Sequence, residues 1–132
     1  MKLNGETKLT NKILDISIVK MKNYEGYRIK TEQDNIKFVV DNSKNAGECW
    51  GYLSSPEDLK DYIGSEYLGY FSDSQNEVKL TGNVKKIANC QFLTIKTSNG
   101  DIDFVVYNAY GNFYHKETLL IINNKIISNE II

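Results

Sequence analysis

The residues that could do chemistry fall in two segments that follow closely related sequences. The first, a predicted loop of residues 41–53, contains Cys49 and Trp50, and the second, residues 107–116, contains the single histidine, His115. Cys49 and His115 are 66 positions apart, and a thiol beside an imidazole is a pair used in nucleophilic catalysis. No third residue can be assigned to orient the imidazole, and no Gly-rich phosphate loop, HExxH, CxxC or GxSxG motif is present. We therefore predict that the protein is not an enzyme and has no catalytic residues.

The second segment has the composition of a binding loop. Its sequence, YNAYGNFYHK, interleaves aromatic side chains with asparagine and glycine. Aromatic rings offer a large contact area at small entropic cost, and amides offer adaptable hydrogen bonds. The alternative for this segment is a turn whose aromatic side chains cover a sheet edge. The lone tryptophan, Trp50, also has two interpretations, a lid over the core or a contact residue. The predicted binding residues are Trp50, Tyr52, Asn108, Tyr110, Asn112, Phe113, Tyr114 and His115.

Composition excludes several other kinds of site. Two cysteines, Cys49 and Cys90, and one histidine cannot complete a four-ligand structural zinc site, so we predict no metal and no cofactor. Sixteen Lys and Arg against seventeen Asp and Glu imply no strong electrostatic field. Arg28 is the only arginine, and arginine is the side chain best suited to bidentate contacts with guanine. Base-specific recognition of nucleic acid is therefore not expected.

Hydropathy bears on the cellular compartment. The longest apolar run, residues 119–122, is far too short to cross a bilayer. The first ten residues lack the apolar stretch of a secretory signal. We expect a cytoplasmic protein with no membrane partner, in which both cysteines are free thiols because the cytoplasm is reducing.

The elements that position the two segments are copies of one hairpin. Residues 27–42 (YRIKTEQDNIKFVVDN) and 93–108 (LTIKTSNGDIDFVVYN) align without a gap and share eight of sixteen residues. Each copy predicts a strand, a turn and a second strand, with a tight turn at Asn99-Gly100 in the second copy. In the second strand of each copy, Ile, Phe and Val recur at every other position. One face of that strand is therefore predicted to lie in a core.

Further strands and one helix are predicted around the hairpins. Segments that start at Leu9 and Ile63 match each other and add a strand before each hairpin. The second copy carries an insertion, residues 72–83, which is predicted to be an extended loop or an exposed hairpin. Between the copies, Ser55 as N-cap followed by proline predicts a short amphipathic helix that ends at Gly64.

We predict an α+β fold that is mainly antiparallel β, in a single domain of residues 1–132. Two related three-stranded units, in a pseudo-repeat of residues 9–50 and 63–116, are joined by the short helix. A C-terminal hairpin about Asn123-Asn124 completes the sheet or closes a small barrel. An open sandwich is the alternative. Packing about a pseudo-twofold axis would give the two chemically interesting segments equivalent surroundings.

Three stretches resemble one family. They are GECWGYL at residues 47–53, DLKDYIGSEYL at 58–68 and IKTSNGDIDFVVYNAYGNFYHK at 95–116. The chain is similar there to functionally uncharacterised small proteins of phages, prophages and mobile elements of low-GC bacteria. These pair a Cys-Trp loop and a Leu-Ile-Gly step with a Thr-x-Gly hairpin that ends in an Asn-, Gly- and Tyr-rich loop. The resemblance covers about half of the chain and implies an accessory gene of a mobile element.

Small non-catalytic proteins of such elements often work by occupying a host protein. Our first hypothesis is therefore an anti-CRISPR-like inhibitor that binds a host protein or ribonucleoprotein defence complex through the predicted binding residues. A second is a sponge for a nucleotide immune signal, which requires a concave pocket that contains Lys30 or Lys96. A third is a structural protein whose C-terminal strands pair across a symmetric homodimer.

Overall fold

The chain folds into antiparallel β-strands arranged in two sheets. The computed structural model describes residues 9–43, 49–80, 87–109 and 115–132. In these ranges the first sheet has the order β1-β2-β3-β8-β9 and the second the order β4-β7-β6-β5. The prediction of a mainly antiparallel β protein is confirmed. The strands are β1 (Ile13–Lys20), β2 (Tyr24–Thr31), β3 (Asn35–Asp41), β4 (Trp50–Ser55), β5 (Tyr67–Lys79), β6 (Ile87–Thr97), β7 (Gly100–Asn108), β8 (Glu117–Ile122) and β9 (Lys125–Ile131).

One hydrophobic core lies between the two sheets. Each sheet contributes the side chains of one face, as the alternation in the sequence predicts. Phe38 of β3 and Phe104 of β7 are the largest fully buried side chains in this cluster. Each buried side chain of this size contributes about 1.5–3 kcal/mol, so the shared core holds the sheets together. The buried members of the cluster are Ile13, Tyr27, Ile29, Ile36, Phe38, Val40, Leu93, Ile95, Ile102, Phe104, Val106, Leu120 and Ile132.

The sheets are also joined by backbone hydrogen bonds at one corner, where β1 and β5 begin. The Ile13 N–H donates to the Ser65 carbonyl at 2.9 Å, and the Gly64 N–H donates to the Ile13 carbonyl at 2.8 Å. An antiparallel bridge between Lys12 and Glu66 continues this pairing. The architecture is therefore a sandwich closed at one corner. The C-terminal hairpin of β8 and β9 completes the first sheet and does not close a barrel.

Two strands are exchanged between the sheets. β4 follows β3 in the chain but pairs with β7 of the second sheet, whereas β8 follows β7 but pairs with β3 of the first. Tyr52 lies opposite Val106 in one ladder, and Thr118 lies opposite Val40 in the other. Tyr52 and Thr118 are 66 positions apart, and so are Val40 and Val106. The two ladders therefore have the same register.

The predicted helix is reduced to one 3-10 turn, Lys60–Tyr62. Ser55, the expected N-cap, is the last residue of β4 and pairs with Asp103. The segment is too short to repay the cost of helix nucleation, and Leu59 and Tyr62 pack against the core without a longer helix. The α+β prediction thus overstates the helix content. In the described ranges, no helix has the length and apolarity needed to cross a membrane.

Most of the predicted insertion extends a hairpin. Strand β5 runs on to Lys79 and pairs with β6 from Ile87 onward, with a register shift between Gln75 and Val78. Glu77, at this shift, has a φ of 57°. The exposed hairpin is therefore the correct alternative for residues 72–79. Residues 81–86 lie outside the described part of the chain.

Candidate functional site

Residues of both segments predicted to bind contact each other at one end of the sandwich. The Ala109 N–H donates to the Cys49 carbonyl at 2.8 Å, and the Lys116 ammonium donates to the Ser43 carbonyl. Positions 44–48 and 110–114 are thus flanked by residues that contact each other across this end. The predicted binding residues Tyr110, Asn112, Phe113 and Tyr114 lie outside the described residues.

Trp50 and Lys116 form the centre of this end. The Lys116 side chain is 1% exposed, and its Nζ lies 4.9 Å from the centroid of the Trp50 ring, within the range of a cation–π interaction. Trp50 is half-buried and packs against the shared core. It begins β4, although the sequence had predicted a loop. The indole therefore covers a buried ammonium group, and Trp50 as a residue stays partly exposed.

Tyr52 connects the two sheets beneath this indole. Its hydroxyl donates to the Glu25 carboxylate at 2.7 Å. Its ring meets the Tyr27 ring edge to face, with centroids 5.4 Å apart and an interplanar angle of 82°. Burial and, next, the hydrogen bond to Glu25 raise the pKa of Tyr52 to about 12. Tyr52 is thus held in place, and its hydroxyl is committed to a neighbour.

Asn108 and His115 differ in exposure. Asn108 is fully buried, and its Nδ2 donates to the Ile132 carbonyl at 3.1 Å. We therefore assign Asn108 the role of positioning the chain, because a buried side chain cannot touch a partner in this structure. His115 is exposed and stays a predicted contact residue.

The cysteines give no support to a nucleophile and base pair. Cys49 is half-buried and His115 is exposed, and no hydrogen bond joins their side chains in the described structure. Cys90 is completely buried, and burial raises the pKa of its thiol to about 11. A thiol with so high a pKa is a poor nucleophile at neutral pH.

A feature that sequence reasoning missed is an apolar depression on the outer face of the second sheet. It has a volume of about 220 Å³ and lies over Leu53, Phe92 and Val105. Leu53 is 41% exposed and lies opposite Val105 in the ladder of β4 and β7. The signal that could have found it is apolar residues at outward-facing positions, where a solvated sheet face would be polar. Ser54, Ser55, Asp103 and Phe104 complete the lining.

Two other depressions have charged residues in their lining. One of about 310 Å³ lies between the sheets, and one of about 370 Å³ lies beside the 3-10 turn. Lys30 and Lys96 line none of the three depressions, and Lys96 makes an exposed ion pair with Asp101 at 3.0 Å. Among the described residues, no group of three or more His, Cys, Asp or Glu side chains is placed to hold a metal ion.

Comparisons with protein-family models, curated proteins and solved structures give no match to this chain. The resemblance to mobile-element proteins therefore stays a prediction. The fold and the end around Trp50 and Lys116 define a β-sandwich with a candidate binding surface.

Proposed function

We propose that the protein is a non-enzymatic binding protein that occupies a partner protein with the end of its sandwich around Trp50. The observation that carries this proposal is the Trp50 ring held over Lys116 where the flanks of both predicted binding segments meet. Tryptophan is enriched among the residues that dominate interface energetics. A ring already fixed by packing loses little entropy when a partner covers it.

The scaffold beneath this end is built to hold it rigidly. The Tyr52 hydroxyl bonds to Glu25 of the other sheet, and the buried Asn108 amide bonds to the last residue of the chain. Binding segments are commonly presented at one end of such a rigid β scaffold. This supports a preformed contact surface, and the candidate contact residues in the described structure are Trp50 and His115.

The class of partner follows from the resemblance to mobile-element proteins. Accessory proteins of such elements gain from blocking host defence, so we propose a host defence complex as the target and the host cytoplasm as the place of action. This makes the protein an anti-CRISPR-like inhibitor that works through protein contacts.

The nucleotide-sponge hypothesis has less support than the inhibitor. It requires a concave pocket with Lys30 or Lys96, and these lysines line none of the depressions described above. The depression of about 310 Å³ between the sheets is lined by Asp73 and Glu130, which would repel a phosphate.

The test is capture of a partner followed by a quantitative binding measurement. Tagged protein is incubated with host lysate freed of small molecules. The captured partner is purified, and the dissociation constant of its complex with the tagged protein is measured. We expect Trp50→Ala to weaken binding about 30-fold, equivalent to about 2 kcal/mol, and His115→Ala to weaken it less. Lys125→Ala is the matched control, because Lys125 is exposed beside the Asn123-Asn124 turn at the other end of β8.

The alanine variant of Trp50 could also loosen the core, so its unfolding by urea is measured in parallel. Trp50→Phe keeps an aromatic lid and separates loss of contact from loss of packing. Unchanged affinity of folded Trp50→Ala and His115→Ala would contradict the proposal. A nucleotide recovered without a protein would favour the sponge instead.

A further inference from the structure

The edge of β8 is paired with an additional strand, β9. The Lys116 N–H donates to the Ile132 carbonyl, and the Ile132 N–H donates to the Lys116 carbonyl, each at 2.8 Å. Bonding and non-bonding pairs alternate along an antiparallel ladder. Thr118 and Leu120, which lie opposite Glu130 and Ser128, therefore also present their backbone groups to this strand.

The same backbone positions of β4 are unpaired. The Ala109 N–H bonds to the Cys49 carbonyl. Because bonding and non-bonding pairs alternate, the N–H and C=O groups of Gly51, Leu53 and Ser55 point toward β7, and those of the residue before each of them point away from it. In the described structure, no strand, loop or side chain bonds to these outward N–H and C=O groups. The three residues are Trp50, Tyr52 and Ser54, and each is 66 positions before Lys116, Thr118 or Leu120.

The other three edges of the sandwich are interrupted. A register shift breaks the ladder of β1 between Ile13 and Asp15, and another breaks that of β9 opposite Leu120 and Ile121. The β5 ladder contains two shifts. Bulges are a common way to prevent a sheet edge from pairing with another chain. The ladder of β4 and β7 runs without a shift from Trp50 to Ser55, so β4 is the regular edge among the described strands.

The surroundings of β4 indicate what would pair with it. Leu53 is 41% exposed at the rim of the apolar depression, which suits an apolar side chain directly opposite it. At the end of β4, Ser55 lies opposite Asp103, which also lines the depression, and two more carboxylates, Glu57 and Asp58, follow in the chain. A cationic side chain opposite Ser55 would complement these charges.

We propose that β4 binds an extended segment of a partner protein as a fifth, antiparallel strand of the second sheet, in the position that β9 occupies on β8. The segment carries Lys or Arg two residues before an apolar residue, because in an antiparallel ladder these face Ser55 and Leu53. Strand addition of this kind takes affinity from backbone hydrogen bonds and specificity from alternate side chains. The inference rests on the proposed binding function and names the mode of contact.

The test uses a synthetic peptide, Ser-Thr-Lys-Val-Leu-Thr-Val-Thr-Ser, which follows this pattern and contains no tryptophan. Binding is followed by the fluorescence of Trp50 and by the amide chemical shifts of Trp50, Tyr52 and Ser54. We expect saturable binding below about 1 mM. Methylation of the peptide nitrogens opposite Tyr52 and Ser54 should abolish it, and replacing the peptide's lysine by glutamate should weaken it at least tenfold.

Leu53→Lys is the protein variant, because it places a charge opposite the incoming apolar residue and diagonally beside the incoming lysine, while changing a partly exposed side chain. It should weaken binding at least tenfold, and Ile126→Lys on the β9 edge, where Ile126 is 59% exposed, should leave binding unchanged. No binding at about 1 mM, retained binding of the methylated peptide, or equal loss in both variants would overturn the proposal. If a captured partner binds Leu53→Lys normally, strand addition is contradicted and the inhibitor proposal is not. If the peptide binds but no partner is captured, the inhibitor proposal is contradicted and strand addition is not.

Discussion

The two sheets share a four-strand pattern, in which each receives one strand from the other half of the chain. They differ in whether a further strand covers the received one. In the first sheet the received strand, β8, is covered by β9, whereas in the second sheet the received strand, β4, is the edge. The register of the two ladders is the same. The pattern common to both sheets therefore builds the scaffold, and the unmatched strand β9 decides which backbone is available to a partner.

Removing β9 is the strongest way to break this comparison. Truncation after Ile122 removes the strand that pairs with the backbone of Lys116, Thr118 and Leu120, and it takes Ile132 out of the core. Each lost hydrogen bond removes about 0.5–1.5 kcal/mol of stability, and a lost core side chain costs about 2–5 kcal/mol. We expect the free energy of unfolding to fall by more than about 4 kcal/mol, or the chain to associate through β8. Urea unfolding and mass in solution measure this, and a monomer as stable as the full chain would contradict it.

Equivalent core residues provide a direct test of the likeness between the sheets. Phe38 and Phe104 are 66 positions apart and both are fully buried in the shared core. Each Phe→Ala change should lower the free energy of unfolding by about 3–5 kcal/mol. Phe→Leu changes give a milder pair if the alanine variants do not fold. A difference between the two positions of more than about 2 kcal/mol in urea unfolding would show that equal register does not mean equal packing.

Two glycines sharpen the comparison between the outer faces. A Cβ at Gly26 of β2 would overlap the Phe38 carbonyl oxygen and lie 2.9 Å from the Val39 Cα, so the backbone of β3 would have to move. A Cβ at Gly51 of β4 would lie 2.7 Å from the Tyr107 hydroxyl, and that side chain can rotate away. We expect Gly26→Ala to destabilise by more than about 2 kcal/mol and Gly51→Ala by less than about 1 kcal/mol. Thermal unfolding would test this, and the reverse order would be inconsistent with the packing.

The smallest expected effect concerns two tyrosines with raised pKa. The hydrogen bond to Glu117 foremost, with burial, raises the pKa of Tyr24 to about 12, and burial foremost raises the pKa of Tyr52 to about 12. Above pH 10 an unfolded tyrosine loses its proton while these two keep theirs, so stability is present below pH 10 and is lost as pH rises toward 12.

Absorbance titration of tyrosinate and urea unfolding at several pH values measure this loss. Tyr24→Phe and Tyr52→Phe should each remove one late-titrating group and part of the loss of stability. Titration of both groups near the ordinary tyrosine pKa, with stability unchanged up to pH 12, would be incompatible with these contacts.

The sequence predicted most of the strands because their signals are local. The alternation of Ile36, Phe38 and Val40 places one face of β3 in the core, and the structure buries all three. The Asn123-Asn124 turn also forms as predicted, with φ values of 53° and 66°. Both features depend on neighbouring residues only, so they can be read without knowing the fold.

Features that depend on distant partners could not be predicted in the same way. Trp50 and Tyr52 follow a Gly- and Asn-containing stretch that resembles a loop, and only the ladder with β7 makes them a strand. The burial of Asn108 depends on the carbonyl of Ile132. Serine followed by proline is a typical start of a helix, but at Ser55 strand pairing with Asp103 outweighed this local preference.

The exchanged strands also impose an order on synthesis at the ribosome. When β4 emerges, its partner β7 has not been made, and β3 waits still longer for β8. The first half of the nascent chain therefore exposes two unpaired sheet edges until β7 and β8 have left the exit tunnel. Since unpaired edges promote aggregation, early termination products of this chain should be clients of chaperones bound near the tunnel.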